Sequence, residues 1–126
     1  MNKTYFLDTN VLLRFLIGDN PHQQTQAKIW FLEAEQGKRE IIVHPIIVAE
    51  SCFVLESFYK KSRLDIAAAM EVFLSQRWLR IPERDVLLSL WDFYQSGLHF
   101  VDSFLLANAK VADEKLLSFD KKTLKN

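Results

Sequence analysis

Four carboxylates in this chain stand where a folded protein seldom puts an idle acid: Asp8, Glu50, Asp102 and Asp120. Asp8 directly follows the apolar run Tyr5-Phe6-Leu7, which reads as a buried strand, so it falls at that strand's carboxyl end. Asp120 follows Leu116-Leu117-Ser118-Phe119 in the same way. Ligands of open parallel sheets bind beyond the carboxyl ends of strands, so two aspartates at two such ends can be neighbours in space. Glu50 has Ile46, Ile47, Phe53 and Val54 three and four residues away, which sets a carboxylate in an apolar helical stripe. An unpaired charge there would be costly. Asp102 has Leu98 before it and Leu105 and Leu106 one turn on, in a helix's first turn, where the dipole favours an anion.

Each acid alone has an ordinary explanation. Asp102 could cap its helix, Glu50 could pair with a buried arginine, and Asp8 or Asp120 could begin a turn. None of these covers all four, and few cations lie close enough in sequence to neutralise each acid. A hard divalent cation does cover them, because Mg²⁺ or Mn²⁺ takes oxygen ligands and keeps positions for water and substrate phosphate.

Strands and helices alternate in the elements that would position these acids. Strands are expected at Thr4–Leu7, Ile41–Val43, Trp78–Ile81 and Lys115–Phe119. Helices are expected over Asn10–Ile17, stopped by a left-handed Gly18, and from Pro21 to Gly37. Further helices run from Pro45 to about Tyr59 and after Ser62, the latter with Ile66, Ala67, Met70, Phe73 and Leu74 inward. The last two are expected from Pro82 to Gly97 and over Asp102–Ala112. This order implies a three-layer α/β/α sandwich around a small parallel sheet, in one domain spanning residues 1–126.

The single cysteine, Cys52, excludes a disulfide within the chain and a cysteine-rich zinc site, and His22, His44 and His99 are too scattered for one. A reducing, cytoplasmic setting follows as the expectation. No run approaches the ~20 apolar residues of a membrane span, and Asp8 comes too early for a signal-peptide core. Sixteen Lys and Arg balance sixteen Asp and Glu, which looks unpromising for a nucleic-acid binder. Setting four acids aside for a metal site leaves twelve against sixteen, a surplus of four cations. Clusters such as Lys38-Arg39, Lys60-Lys61 and Lys121-Lys122 read first as solvated helix ends.

Phe6-Leu7-Asp8-Thr9-Asn10 followed by Leu12-Leu13 resembles the opening of a PIN domain, as found in VapC-type toxins of toxin–antitoxin pairs. Val48-Ala49-Glu50 resembles the acid on the family's third helix. Phe100-Val101-Asp102-Ser103-Phe104-Leu105-Leu106-Ala107 looks like the third acid motif, with Ser103 where Ala or Cys is commoner. Leu117-Ser118-Phe119-Asp120 is similar to the last, with Ser118 for the commoner Thr. The family continues into a further strand, whereas this chain ends at Asn126, so that edge strand is expected to be trimmed or lost.

The resemblance implies an endoribonuclease that hydrolyses RNA with one or two Mg²⁺ or Mn²⁺ ions held by Asp8, Glu50, Asp102 and Asp120. It also implies a homodimer silenced by a small antitoxin protein. Thr9, Asn10 and Ser118 would brace the carboxylates or the scissile phosphate. Part of the aromatic complement, among Trp30, Phe31, Phe53, Phe58, Tyr59, Trp91 and Tyr94, is expected to line a dimer face or helix-binding groove. Two rival readings remain. An aspartyl phosphatase would need an acid two residues after Asp8, where Asn10 stands. A silent PIN-like scaffold binding RNA or protein would be expected to lack one or more of the acids.

Overall fold

Local signals start the long helices where the sequence places them. Asn20 accepts a hydrogen bond from Gln23 N at 3.1 Å, with Pro21 in the first helical position, and Ser62 accepts one from Asp65 N at 3.1 Å. His44 does the same through Nδ1 to Ile46 N at 3.2 Å, ahead of Pro45. Each side chain satisfies an amide that the first helical turn leaves open.

The computed structural model describes residues 3–121. In chain order the elements are β1 (Thr4–Phe6), α1 (Thr9–Leu16), α2 (Pro21–Glu35), β2 (Glu40–Ile42) and α3 (Pro45–Ser57). They continue with α4 (Arg63–Leu74), α5 (Arg84–Ser89), α6 (Trp91–Gln95) and α7 (Phe100–Val111). β1 and β2 pair in parallel, Thr4 opposite Glu40 and Phe6 opposite Ile42. The fold is therefore mixed α/β with a small parallel sheet, consistent with the expected α/β/α sandwich. The core gathers Leu12, Val43, Val48, Ile66, Met70, Leu74, Leu87 and Trp91. A second layer is aromatic: Phe31 meets Phe15 at 4.7 Å, Phe73 at 5.6 Å and Trp78 at 6.1 Å between ring centroids.

Several expectations need correction. Trp78–Ile81 is a turn carrying one bridge, Ile42 to Arg80, rather than a strand. The Arg84 guanidinium donates to the carbonyls of Leu74 and Gln76, just before this segment, and of Leu79 within it, which curls the chain and takes one acceptor from any ladder. The helix expected from Pro82 to Gly97 is two short ones. Glu83 sits at φ 65°, which delays the start, and the Ser89 hydroxyl bonds the Asp85 carbonyl at 2.6 Å just before the break at Leu90. Gly18 is not left-handed; α1 ends at Ile17 in extended geometry, while Gly37, at φ 79°, closes α2.

The expected fourth strand is absent as well. Residues 115–119 form no ladder, and Leu117 and Phe119 are fully exposed, at 97% and 108%. Ser118 Oγ instead accepts from Asp120 N at 3.0 Å, a local turn that competes with strand pairing. The strand at Thr4–Leu7 is present but not buried, since Tyr5 and Phe6 are exposed and only Leu7 is covered. The expectation for the chain beyond Asp120 falls largely outside the described residues.

Candidate functional site

β1 and β2 run parallel, and the chain passes from β1 directly into α1 and from β2 directly into α3, so both helices begin at one edge of the sheet. Asp8 is the N-cap of α1. Its carbonyl accepts from Val11 N at 3.1 Å and Leu12 N at 3.4 Å, while its side chain makes no capping bond. That leaves an exposed carboxylate at a helix N-terminus, where the open amides favour an anion. Thr9 behind it is buried, and Asn10 is exposed beside it.

Glu50 corrects the sequence reading. α3 buries Val48, Ser51, Cys52 and Leu55 and turns Ile46 and Phe53 outward, both 69% exposed. Glu50 is therefore on the solvent side, exposed rather than held in an apolar interior. Asp102 is half-buried in the first turn of α7, next to buried Ser103, whose hydroxyl donates to His99 O at 2.9 Å. α3 packs against both α1 and α7. An open cavity of about 540 Å³ has Ala49 and Val101 in its wall, the residues immediately before Glu50 and Asp102. Asp120 is exposed on the irregular C-terminal segment, where Ser118 caps its amide.

By donor chemistry the four acids suit a hard divalent cation. Among the described residues, Asp8, Glu50 and Asp102 have no hydrogen-bond or ion-pair partner for their carboxylates. Their placement is another matter: among the described residues, no three acidic, histidine or cysteine side chains come together in a group that could hold an ion. The structure thus sets three acids on α1, α3 and α7, packed through α3, without gathering them into one metal centre.

Two arrangements escaped the sequence reading. Arg63 donates through Nε to Glu56 at 3.1 Å and through one terminal nitrogen to the carbonyls of Tyr94 and Leu98, with its guanidinium 4.4 Å over the Tyr94 ring. The Tyr94 hydroxyl closes the network by donating to Glu56 at 3.0 Å. Burial pushes the Tyr94 hydroxyl and the Cys52 thiol beside it well above their ordinary ranges, Glu56 adding to both, so Cys52 is a packing residue and not a nucleophile. The second arrangement is a pair of small, mostly apolar cavities, of about 190 Å³ and 170 Å³, whose linings share Val11 and Trp30. Arg63 had a sequence signal only as the near neighbour of the Lys60-Lys61 pair, and Trp30 only as one aromatic on a helix.

A family model for the PIN domain matches residues 5–126, nearly the whole chain. The chain belongs to the PIN domain family, whose members are generally nuclease domains and generally use Mg²⁺ or Mn²⁺. No curated protein and no solved structure matches it. No described helix is long and apolar enough to cross a membrane.

Proposed function

We propose that this chain is a single-domain, divalent-metal-dependent endoribonuclease over residues 1–126, the VapC-type toxin of a toxin–antitoxin pair. Asp8, Glu50, Asp102 and Asp120 hold one or two Mg²⁺ or Mn²⁺ ions, with Thr9, Asn10 and Ser118 supporting them. One observation carries the reading: a chain matched to the PIN family presents an exposed, uncommitted carboxylate, Asp8, at the carboxyl end of β1 and the N-terminus of α1. When bound, the ion supplies a Lewis acid and a water of lowered pKa for attack on a phosphodiester. Asp8 and Asp102 contribute carboxylate oxygens at two helix starts, where the open amides favour negative charge. The partners are RNA, a small antitoxin and a second copy of the chain, and the setting is the cytoplasm. The lone, buried Cys52 suits a reducing compartment.

The rival is a PIN-like scaffold that binds RNA or protein without catalysis, and the ungathered acids favour it. Purified parent and Asp102→Asn, compared on a labelled single-stranded RNA pool in Mn²⁺, separate the two. Cleavage by the parent that the variant loses supports the nuclease. Cleavage retained in Asp102→Asn removes Asp102 from the mechanism, and an inactive parent leaves the scaffold.

A further inference from the structure

α2, α3 and α4 each begin with a side chain that caps the first turn, but α7 does not: His99 stands at its N-cap and makes no side-chain capping bond. The connector leading into it includes Gly97 at φ 109°, a conformation glycine adopts without steric cost. What holds this start is tertiary. Arg63, the first residue of α4, donates through Nη1 to Tyr94 O at 2.6 Å, in α6, and to Leu98 O at 2.5 Å, immediately before the cap.

The same guanidinium reaches α3. Its Nε donates to Glu56 Oε1 at 3.1 Å, and Glu56 Oε2 accepts from the Tyr94 hydroxyl at 3.0 Å. One side chain therefore joins the start of α7 to α3, and these two helices carry Asp102 and Glu50. A cavity of about 170 Å³ is lined by Ala49 and Val101, the residues just before the two acids, and by Glu56, Arg63 and His99. Packing does not fill the interval between the helices there, so the first turn of α7 has room to shift once the guanidinium is removed. The planar fork matters as well as the charge, because it directs three hydrogen bonds at once from a rigid group.

We infer that Arg63 is a positioning residue for the nuclease: by gripping the Tyr94 and Leu98 carbonyls and Glu56 together, it sets where Asp102 stands relative to Glu50. The inference rests on the nuclease reading for its effect on the rate, while the placement itself is a property of the fold. The network between α3, α4 and α7 thereby has a task beyond stability. A first turn of α7 displaced by about 1 Å carries its carboxylate with it, and a misplacement of that size can cost on the order of 10²-fold in rate.

Two readouts test this, both at a temperature where circular dichroism shows each variant folded. Spin labels on exposed Ser57→Cys and Val101→Cys, with Cys52 buried and out of reach, report the separation of α3 from the start of α7 by electron paramagnetic resonance. Arg63→Ala should shift and broaden that distance distribution. Buried Leu79→Ala, which destabilises the protein from outside α1, α3 and α7, should leave it as in the parent. The second readout is cleavage of labelled single-stranded RNA in Mn²⁺ by the unlabelled proteins. Arg63→Ala should lower kcat about tenfold to a hundredfold with KM within about threefold, and Arg63→Lys should fall between it and the parent. Leu79→Ala should keep the parent's kcat per folded molecule. If Arg63→Ala does not fold, Arg63→Lys carries both readouts. An unchanged distance distribution would overturn the placement whatever happens to cleavage, and an equal fall of kcat in Leu79→Ala would reduce Arg63 to a stabilising residue. A parent that does not cleave removes the nuclease reading, and the labels still decide the placement.

Discussion

Replacing Arg63 by alanine tests whether one side chain ties the start of α7 to α3 and α4. The guanidinium satisfies the carbonyls of Tyr94 and Leu98, pairs with Glu56 and stacks on Tyr94. Its hydrogen bonds to the two carbonyls are charge-assisted and part-buried, and losing them costs about 1.5–3 kcal/mol together. The Glu56 pair is partly exposed, with side-chain exposures of 23% and 41%, so screening limits it to about 0–1 kcal/mol. The stack on Tyr94 adds about 0.5–1 kcal/mol. The total is about 3 kcal/mol, a large share of the roughly 5–15 kcal/mol that holds a domain folded. Arg63→Lys keeps the charge but not the fork, and should recover less than half of that loss. Urea unfolding at neutral pH reads both variants, with an unchanged slope showing that only stability moved. A loss under about 1 kcal/mol for Arg63→Ala would refute the account, since the two carbonyls would then be finding other donors.

Phe31→Ala removes the ring that Phe15, Phe73 and Trp78 share, and should cost about 3–5 kcal/mol in the same assay. Stability should fall in alkali: Cys52 and Tyr94 are raised by burial above their ordinary 9.0 and 10.0, so above those values the unfolded chain ionises first. Unfolding then releases protons and is favoured as pH rises, by at most about 1.4 kcal/mol per pH unit per group. Melting temperatures between pH 8 and 11 would show the decline, and Cys52→Ala should make it shallower. Asp102→Asn in chelator should lose about 0.3–1 kcal/mol, the worth of an anion in a first helical turn. A gain in melting temperature would instead mean that the acids crowd one another more closely in solution than their separate places on α1, α3 and α7 allow.

The long helices were legible because their causes are local. Asn20 with Pro21, Ser62, and Gly37 act within four residues of themselves, so no distant contact is needed to read them. The paired strands were legible as apolar runs, and so was the placing of Asp8 between β1 and α1. Trp78–Ile81 and Lys115–Phe119 have strand-like composition too, but a strand exists only if a distant partner accepts it. Arg84 took the Leu79 carbonyl of the first segment, and a local Ser118 turn stands in place of the second. Glu50 shows the same division on a helix. α3 is apolar around nearly its whole girth, so periodicity alone cannot tell inside from outside. Packing against α1, α4 and α7 chose the face with Val48, Cys52 and Leu55 for the core, and that choice left Glu50 and Phe53 in solvent. The residue types that do the chemistry are a property of the sequence; which of them face one another is decided by contacts between elements far apart along the chain.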